Sequence, residues 1–309
     1  MRQLNSSHGL LWARRLLAAA VTLYFIFGLA LLALRYVVLP QVDHWRPQIE
    51  QQLSRSLGTH VTMGALSADW AGWDPGVRVH DLVLQNDHGQ ILLQVPDVQA
   101  RLNWKALLPG HRGLLRLEIS GMTMTAERLD DGRVSVLGAL FAWGREPTEL
   151  PDWLRWAMTQ PVIAFHDVTL RWVDHLQAAP PLVLDRVRAV WTYSPQRGVQ
   201  LQVSANAPSA AGARLQLRAV APDLDAFLQE RWPEGARAWL DVSSIHPAAW
   251  RAWVPAIPAA WRQGELNLQI WMQGADATPV VTVLAGLNSL DWAGDHQANV
   301  QIPAAQLWM

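Results

Sequence analysis

The chain has 309 residues, 25 basic and 26 acidic, a net charge of −1 and no cysteine. Charged residues make up 17% of it and apolar residues 50%, where an ordinary soluble domain carries roughly 25% charged. These figures exclude dominant disorder, a global electrostatic pull on nucleic acid, and any disulfide, thiolate-metal or cysteine-nucleophile chemistry.

The length suits one elongated domain or two to three modules. Tryptophan is over-represented, with 18 Trp against 5 Phe and 3 Tyr. Its large apolar body and single N–H donor suit wet apolar grooves and membrane boundaries.

Residues 1–15 carry Arg2, Arg14 and Arg15. Leu16 to Leu34 follow without a charge, and eleven of them are Leu, Ile, Val or Phe. At 1.5 Å per residue the run spans roughly 28 Å, close to a bilayer core of about 30 Å. The apolar side chains favour insertion by roughly 3 to 7 kcal/mol. The run exceeds the apolar stretch of a signal peptide, and Leu32-Ala33-Leu34-Arg35 is a poor cleavage site. A retained anchor over 16–38 is expected. The basic bias lies before it, which predicts a cytoplasmic N-terminus with everything after Arg35 outside, in a bacterium the periplasm.

Between 41 and 58, Val42, Trp45, Ile49, Leu53 and Leu57 recur at spacings of three and four. This predicts an amphipathic helix, with Pro47 in its first turns and Gly58 as its C-cap. It would pack on the first strands or lie as a collar on the membrane.

From 60 to 309 the period becomes two. Val77-Arg78-Val79-His80, Leu115 to Ile119, Met122 to Thr125, Val199 to Val203, Leu215 to Leu217 and Leu266 to Ile270 each alternate apolar with polar. Turn signals lie at 87–89, 130–132, 195–198 and 273–274. Short helices are expected near 104–108, 151–159, 223–229 and 247–253. The fold class is mainly β: one N-terminal transmembrane helix, then an elongated, open, curled antiparallel β-sheet forming a groove, with short helices. No βα alternation supports a nucleotide-binding sheet.

Internal repetition is visible. Val79-His80-Asp81-Leu82 resembles Phe165-His166-Asp167-Val168, and Val95-Pro96-Asp97-Val98 resembles Leu184-Asp185-Arg186-Val187. A half-copy, Ile119-Ser120-Gly121-Met122, lies between. A further tail begins at Asp295-His296, and the last strand would leave an open edge. The expectation is the N-terminal part of a longer array.

No metalloprotease, nucleophile-elbow or P-loop motif occurs. His80-Asp81 and His166-Asp167 are adjacent pairs, and strand neighbours point to opposite faces. They read as polar hairpin or strand-edge positions, and Asp87-His88 and Asp174-His175 as turns. No enzyme activity, cofactor or metal is expected. The oligomeric state stays open. Trp70, Trp73, Trp104, Trp172, Trp191, Trp261 and Trp271 read as core or edge packing, with a minority touching lipid.

Leu39-Pro40-Gln41-Val42-Asp43-His44-Trp45-Arg46-Pro47, then Gly58-Thr59-His60-Val61, Leu66-Ser67-Ala68-Asp69-Trp70 and His80-Asp81, resemble the YhdP-type proteins of the AsmA-like family. The resemblance is strongest over 39–84, and Pro40, Asp43, Trp45, Arg46, Pro47, Gly58, Leu66, Ser67 and Trp70 carry it. It implies an inner-membrane anchor in a Gram-negative envelope, a long β-groove built from repeats, and a part in moving phospholipid toward the outer membrane and maintaining its barrier. Family members are several times longer than this chain.

Elementary energetics agree with that role. Each buried methylene is worth about 0.8 kcal/mol, so a sixteen-carbon acyl chain costs on the order of 12 kcal/mol to expose. A sheet that is apolar inside and polar outside shields it without a catalytic group. Leu201, Val203, Leu215, Leu217, Leu266, Leu268 and Ile270 are the candidate groove residues. Phospholipid and a single-pass membrane contact are the expected partners, with envelope proteins as further ones and no nucleic acid. The alternative is a non-enzymatic envelope scaffold or assembly factor, whose apolar face would be filled by its own side chains. An anchored hydrolase is the third reading, and the missing motifs count against it.

Overall fold

A computed structural model describes residues 6–57, 60–71, 74–85, 89, 91–103, 115–136, 139–141, 152–177, 179–212, 214–225, 234–274, 280–293 and 299–308. The expected helix at 104–108, the cap at Gly58, the Asp87-His88 turn and Asp295-His296 lie outside them, as does most of 223–229.

Helix α1 (Ser6–Ala33) covers the apolar run. It passes through a π-helical turn (Leu34–Val38) and a 3-10 stretch (Leu39–Trp45) into α2 (Arg46–Leu57). Only part of the expected stripe is packed. Val42 is buried and Ile49 packs beside it, while Trp45 and Leu53 are exposed.

The sixteen strands among the described residues form one sheet. Strands β1 (His60–Thr62) and β2 (Ala65–Ala71) share one row beside β3 (Asp74–Gln85). Next come β4 (Ile91–Leu102) and a row made of β5 (Leu115–Ser120) with β6 (Thr123–Arg128). The small strands β7 (Val134–Val136) and β8 (Ala139–Phe141) hang from β6. Helix α3 (Asp152–Met158) leads to β9 (Val162–Asp174). Then follow β10 (Ala179–Ser194), β11 (Gly198–Asn206), β12 (Arg214–Ala221) and β13 (Arg237–Ile245). Helix α4 (Pro247–Trp250) precedes β14 (Trp261–Gln273), β15 (Val280–Ala293) and β16 (Asn299–Trp308). The sixteen strands thus reduce to twelve rows, about 50 Å along the sheet at roughly 4.8 Å per row.

The sheet is antiparallel except at one seam. Strand β9 runs parallel to both β5 and β6. A parallel neighbour needs a crossover of a dozen or more residues, and the segment from 129 to 161, with β7, β8 and α3, supplies it.

A line of backbone irregularities crosses the sheet. Asp81, Asp167, Arg186 and Ser244 adopt φ of 50°, 51°, 50° and 57°, and Gly121 adopts 71°. All lie inside rows or at the end of one; Asp167, Arg186 and Ser244 lie next to a break in register, and Asp81 and Gly121 lie where the adjoining ladder is interrupted without a change of register. Partners step from Leu184↔Leu170 to Val187↔Val168, and from Val242↔Leu268 to Ile245↔Leu266. Such bulges bend a strand and increase its twist. This corrects the sequence reading of the His-Asp pairs. They are not hairpin or edge positions; Asp81 and Asp167 are mid-strand residues in the left-handed region, which Asp tolerates better than most side chains. The visible repeat is the repeat of that bend.

The core follows the bend. Val95, Met122, Val168, Val187 and Ala205 form one buried cluster. Leu82, Leu93 and Leu170 pack on it from one side of the bulge line, and Val98, Ile119, Phe165 and Val203 from the other. The apolar face is therefore the inside of the curl. At the β10–β11 turn, Gly198 has φ 69°, and a Cβ there would lie 2.1 Å from the Ala221 carbonyl oxygen.

Two outcomes test this architecture in the full chain, read by thermal unfolding of Trp fluorescence. Gly198→Ala lowers stability by more than the 1–2 kcal/mol of the left-handed penalty alone, because backbone must also move. Asp167→Val loses about 1–2 kcal/mol, whereas Asp167→Gly holds or gains stability. Equal effects of Val and Gly would show that the bulge is not what position 167 provides.

Candidate functional site: an apolar groove face with one sealed edge

Directly paired residues on neighbouring strands share a face. Register links Leu66, Val79, Val98, Ile119, Phe165, Ala189, Val203, Leu217, Leu240, Ile270 and Val283 into one line across eleven rows. Every member is apolar. The next line, on the opposite face, reads Arg78, Gln99, Glu118, Ala164, Val190, Gln202, Arg218, Trp239, Trp271 and Thr282.

All seven candidate groove residues lie on the apolar face. Val203 pairs with Leu217, Leu201 with Ala219, Leu215 with Val242, Leu268 with Val242 and Ile270 with Leu240, and Leu266 follows two residues before Leu268. Their surroundings differ. Leu201 packs on a cluster formed by Ile163, Trp191, Val199, Ala221, Leu224 and Ala236. Val203 and Leu215 pack on the cluster at the bend. Leu266 and Leu268 pack with Val242, Ile245 and Trp250. Leu217 and Ile270 are half-buried and, among the described residues, belong to none of these clusters.

Two segments fill parts of the face. Ala157 and Met158 of α3 cover the Ile163 cluster, and Trp191 donates from Nε1 to the Met158 carbonyl at 2.9 Å. Residues 246–260 occupy the gap left where β11 and β12 stop while β10 and β14 run on. Trp250 donates to the Ala211 carbonyl at 2.9 Å, Trp253 to that of Pro180 at 2.7 Å, and Arg251 to that of Trp261 at 2.7 Å. The sequence reading placed a helix here but missed the gap-filling. The signal was the spacing of Trp250 and Trp253 around prolines, whose indole N–H donors take the carbonyls of Ala211 and Pro180. Trp191 is core, as expected, and Trp271 is 37% exposed on the outer face. Trp73 and Trp104 lie outside the described residues, and Trp70 is described by its backbone alone, paired with Pro75.

The first edge of the sheet explains the motif at 40–67. The row β1–β2 pairs only with β3, so its outer N–H and C=O groups need other partners. The 3-10 stretch and α2 supply them through side chains. Asp43 Oδ1 accepts from the Leu66 N–H at 3.0 Å, Glu50 Oε1 from Met63 at 2.7 Å and Ser54 Oγ from Val61 at 2.9 Å. Arg46 donates to the Gly64 carbonyl. Pro40 and Pro47 sit in the first turns of the two helical pieces, where a missing N–H costs nothing. Leu66 is buried under Val42, and the exposed Ser67 donates weakly to the Arg78 carbonyl at 3.5 Å.

A family model described as YhdP protein matches residues 1–307. The chain belongs to the YhdP family. No curated protein and no solved structure matches it.

Membrane association, which the YhdP family shares, has its physical counterpart in α1. Among the described residues one helix is long and apolar enough to cross a membrane, and none of its most apolar window is buried by the protein. Leu23, Tyr24 and Leu29 are 69%, 73% and 72% exposed. Among the described residues no cluster of three His, Cys, Asp or Glu side chains could hold a metal. The His80–Asp97 and Arg78–Asp97 contacts, at 3.5 and 3.6 Å, are half-exposed pairs on the outer face. Such pairs contribute little.

The edge seal makes a testable claim. Asp43→Ala leaves the part-buried Leu66 N–H unpaired and costs about 1–3 kcal/mol. Hydrogen exchange of the Leu66 and Gly64 amides rises in that variant, while exchange in β11 to β13 stays unchanged. Uniform deprotection along the sheet would show that Asp43 acts on the whole fold instead.

Proposed function

We propose that this chain is a single-pass inner-membrane protein with a cytoplasmic N-terminus and a periplasmic bulk. It contributes to phospholipid movement between inner and outer membrane, and so to the outer-membrane barrier, by shielding acyl chains in its apolar groove. It needs no chemistry and no cofactor of its own. The observation that carries this reading is the unbroken apolar line across eleven rows, half-open at Leu217 and Ile270.

Burial of acyl methylenes at about 0.8 kcal/mol each supplies the driving force. The path is slippery because no buried charge clamps one headgroup along the line. Arg14 and Arg15 before the anchor favour the stated orientation.

A second reading, an envelope scaffold with protein partners, is favoured by α3 and residues 246–260, which fill parts of the same face. The two separate on lipid occupancy. Native mass spectrometry of the full chain in mild detergent is expected to show bound phospholipid. Leu217→Asp or Ile270→Lys removes most of it, and Leu217→Met retains it. Lipid-free protein, or lipid indifferent to both charged variants, would support the scaffold.

A further inference from the structure

Where the anchor ends, it forms a cleft of about 420 Å³ against the first row of the sheet, lined by Arg35, Leu39, Val42, Leu66, Ser67 and Ala68. Its composition is divided. Leu39, Val42 and Leu66 are 9%, 7% and 5% exposed and make an apolar floor. Leu66 is also the first member of the apolar line that crosses the sheet. At the rim stand the exposed guanidinium of Arg35 and the exposed hydroxyl of Ser67. Arg35 is the first charge after the uncharged run that begins at Leu16, so it lies where a spanning helix meets the headgroup layer. The π-helical turn at Leu34–Val38 carries it, and its guanidinium lies 5.7 Å from the Tyr36 ring centroid. A guanidinium offers paired donors in a planar fork that matches phosphate oxygens, and such charge-assisted bonds are the strong ones.

We propose that this cleft is where a phospholipid passes from the bilayer to the groove: Arg35 holds the headgroup phosphate at the rim, and the Leu39–Val42–Leu66 floor receives the adjoining acyl carbons. The inference rests on the lipid-shielding reading above and adds its entry point. Free phosphate shares the headgroup's chemistry with Arg35, but it has nothing to place against three buried aliphatic side chains. The position at the membrane boundary and the apolar floor therefore select the lipid.

The experiment uses the full chain in nanodiscs of phosphatidylethanolamine and phosphatidylglycerol. A photo-crosslinking benzoylphenylalanine is placed at position 68 in one protein and at position 270 in another, and lipid adducts are read by intact mass. Adducts are expected at both positions. Arg35→Gln lowers the adduct at 68 at least five-fold, Arg35→Lys keeps at least half of it, and 10 mM inorganic phosphate leaves it unchanged. An adduct at 68 that ignores Arg35→Gln, or that inorganic phosphate removes, overturns the entry site. An adduct at 270 with none at 68 also overturns it and leaves the groove standing. An Arg35-dependent adduct at 68 with none at 270 upholds the headgroup site and sinks the groove. Absence at both positions overturns both. Arg35 is solvent-exposed, so unchanged Trp fluorescence confirms that its variants are folded.

Discussion

The structure depends on how an open sheet bends. A flat sheet of twelve rows would present its apolar face to water along its whole length, and the hydrophobic cost would drive it to aggregate or collapse. Here the backbone folds the face onto itself. Asp81, Gly121, Asp167 and Arg186 enter the left-handed region at corresponding places in four rows. Each non-glycine residue there costs roughly 1–2 kcal/mol. The return is the cluster of Val95, Met122, Val168 and Val187, buried to 7% exposure or less, which draws side chains from both sides of the bend. Full burial of one Val or Met is worth roughly 1.5–3 kcal/mol, so the packed bend outweighs the strain that makes it.

The edge of the first row poses a different problem with a different solution. Backbone donors on an open strand invite another strand. A neighbouring strand would satisfy them but would also extend the sheet toward the anchor. Helical side chains satisfy them instead, with Asp43, Glu50 and Ser54 each taking one N–H. Asp43 and Arg46, which carry the family resemblance, are thus hydrogen-bond partners for an edge, and Glu50 and Ser54, which do not, share the task. The same helical pieces bury Val42 and Ile49 on Val61, Met63 and Leu66, so sealing and packing are one contact.

Much of this was legible in the sequence. Alternation put Leu201, Val203, Leu215, Leu217, Leu266, Leu268 and Ile270 on one face, because the side-chain period of a strand is fixed at two. The long apolar N-terminal helix was legible because length and lack of charge decide it. The repeat at His80-Asp81 and His166-Asp167 was visible, but its meaning was not. Left-handed Asp in a strand has no pattern of its own, and an adjacent His-Asp pair looks like a turn. The parallel seam at β9 was hidden as well, since pairing direction depends on where a crossover returns. The splitting of the stripe at 42–57 was hidden for a different reason: helical spacing says which residues share a face, not which of them meet a partner. Val42 and Ile49 pack on Val61, Met63 and Leu66, while Trp45 and Leu53 stay exposed.

The distribution of packing along the face bears on what the groove can hold. Where α3 and residues 246–260 lie, the apolar side chains already have protein neighbours, and a ligand there would have to displace them. At Leu217, Leu240, Ile270 and Val283 the line continues through four rows, of which Leu217, Ile270 and Val283 have no cluster contact among the described residues. Their partial exposure is a standing hydrophobic cost that an acyl chain would remove. An acyl chain under the proposed function would gain most at these open rows and least where protein side chains already cover the face. The register, which keeps an apolar residue opposite an apolar residue, is what carries the open stretch from one row to the next.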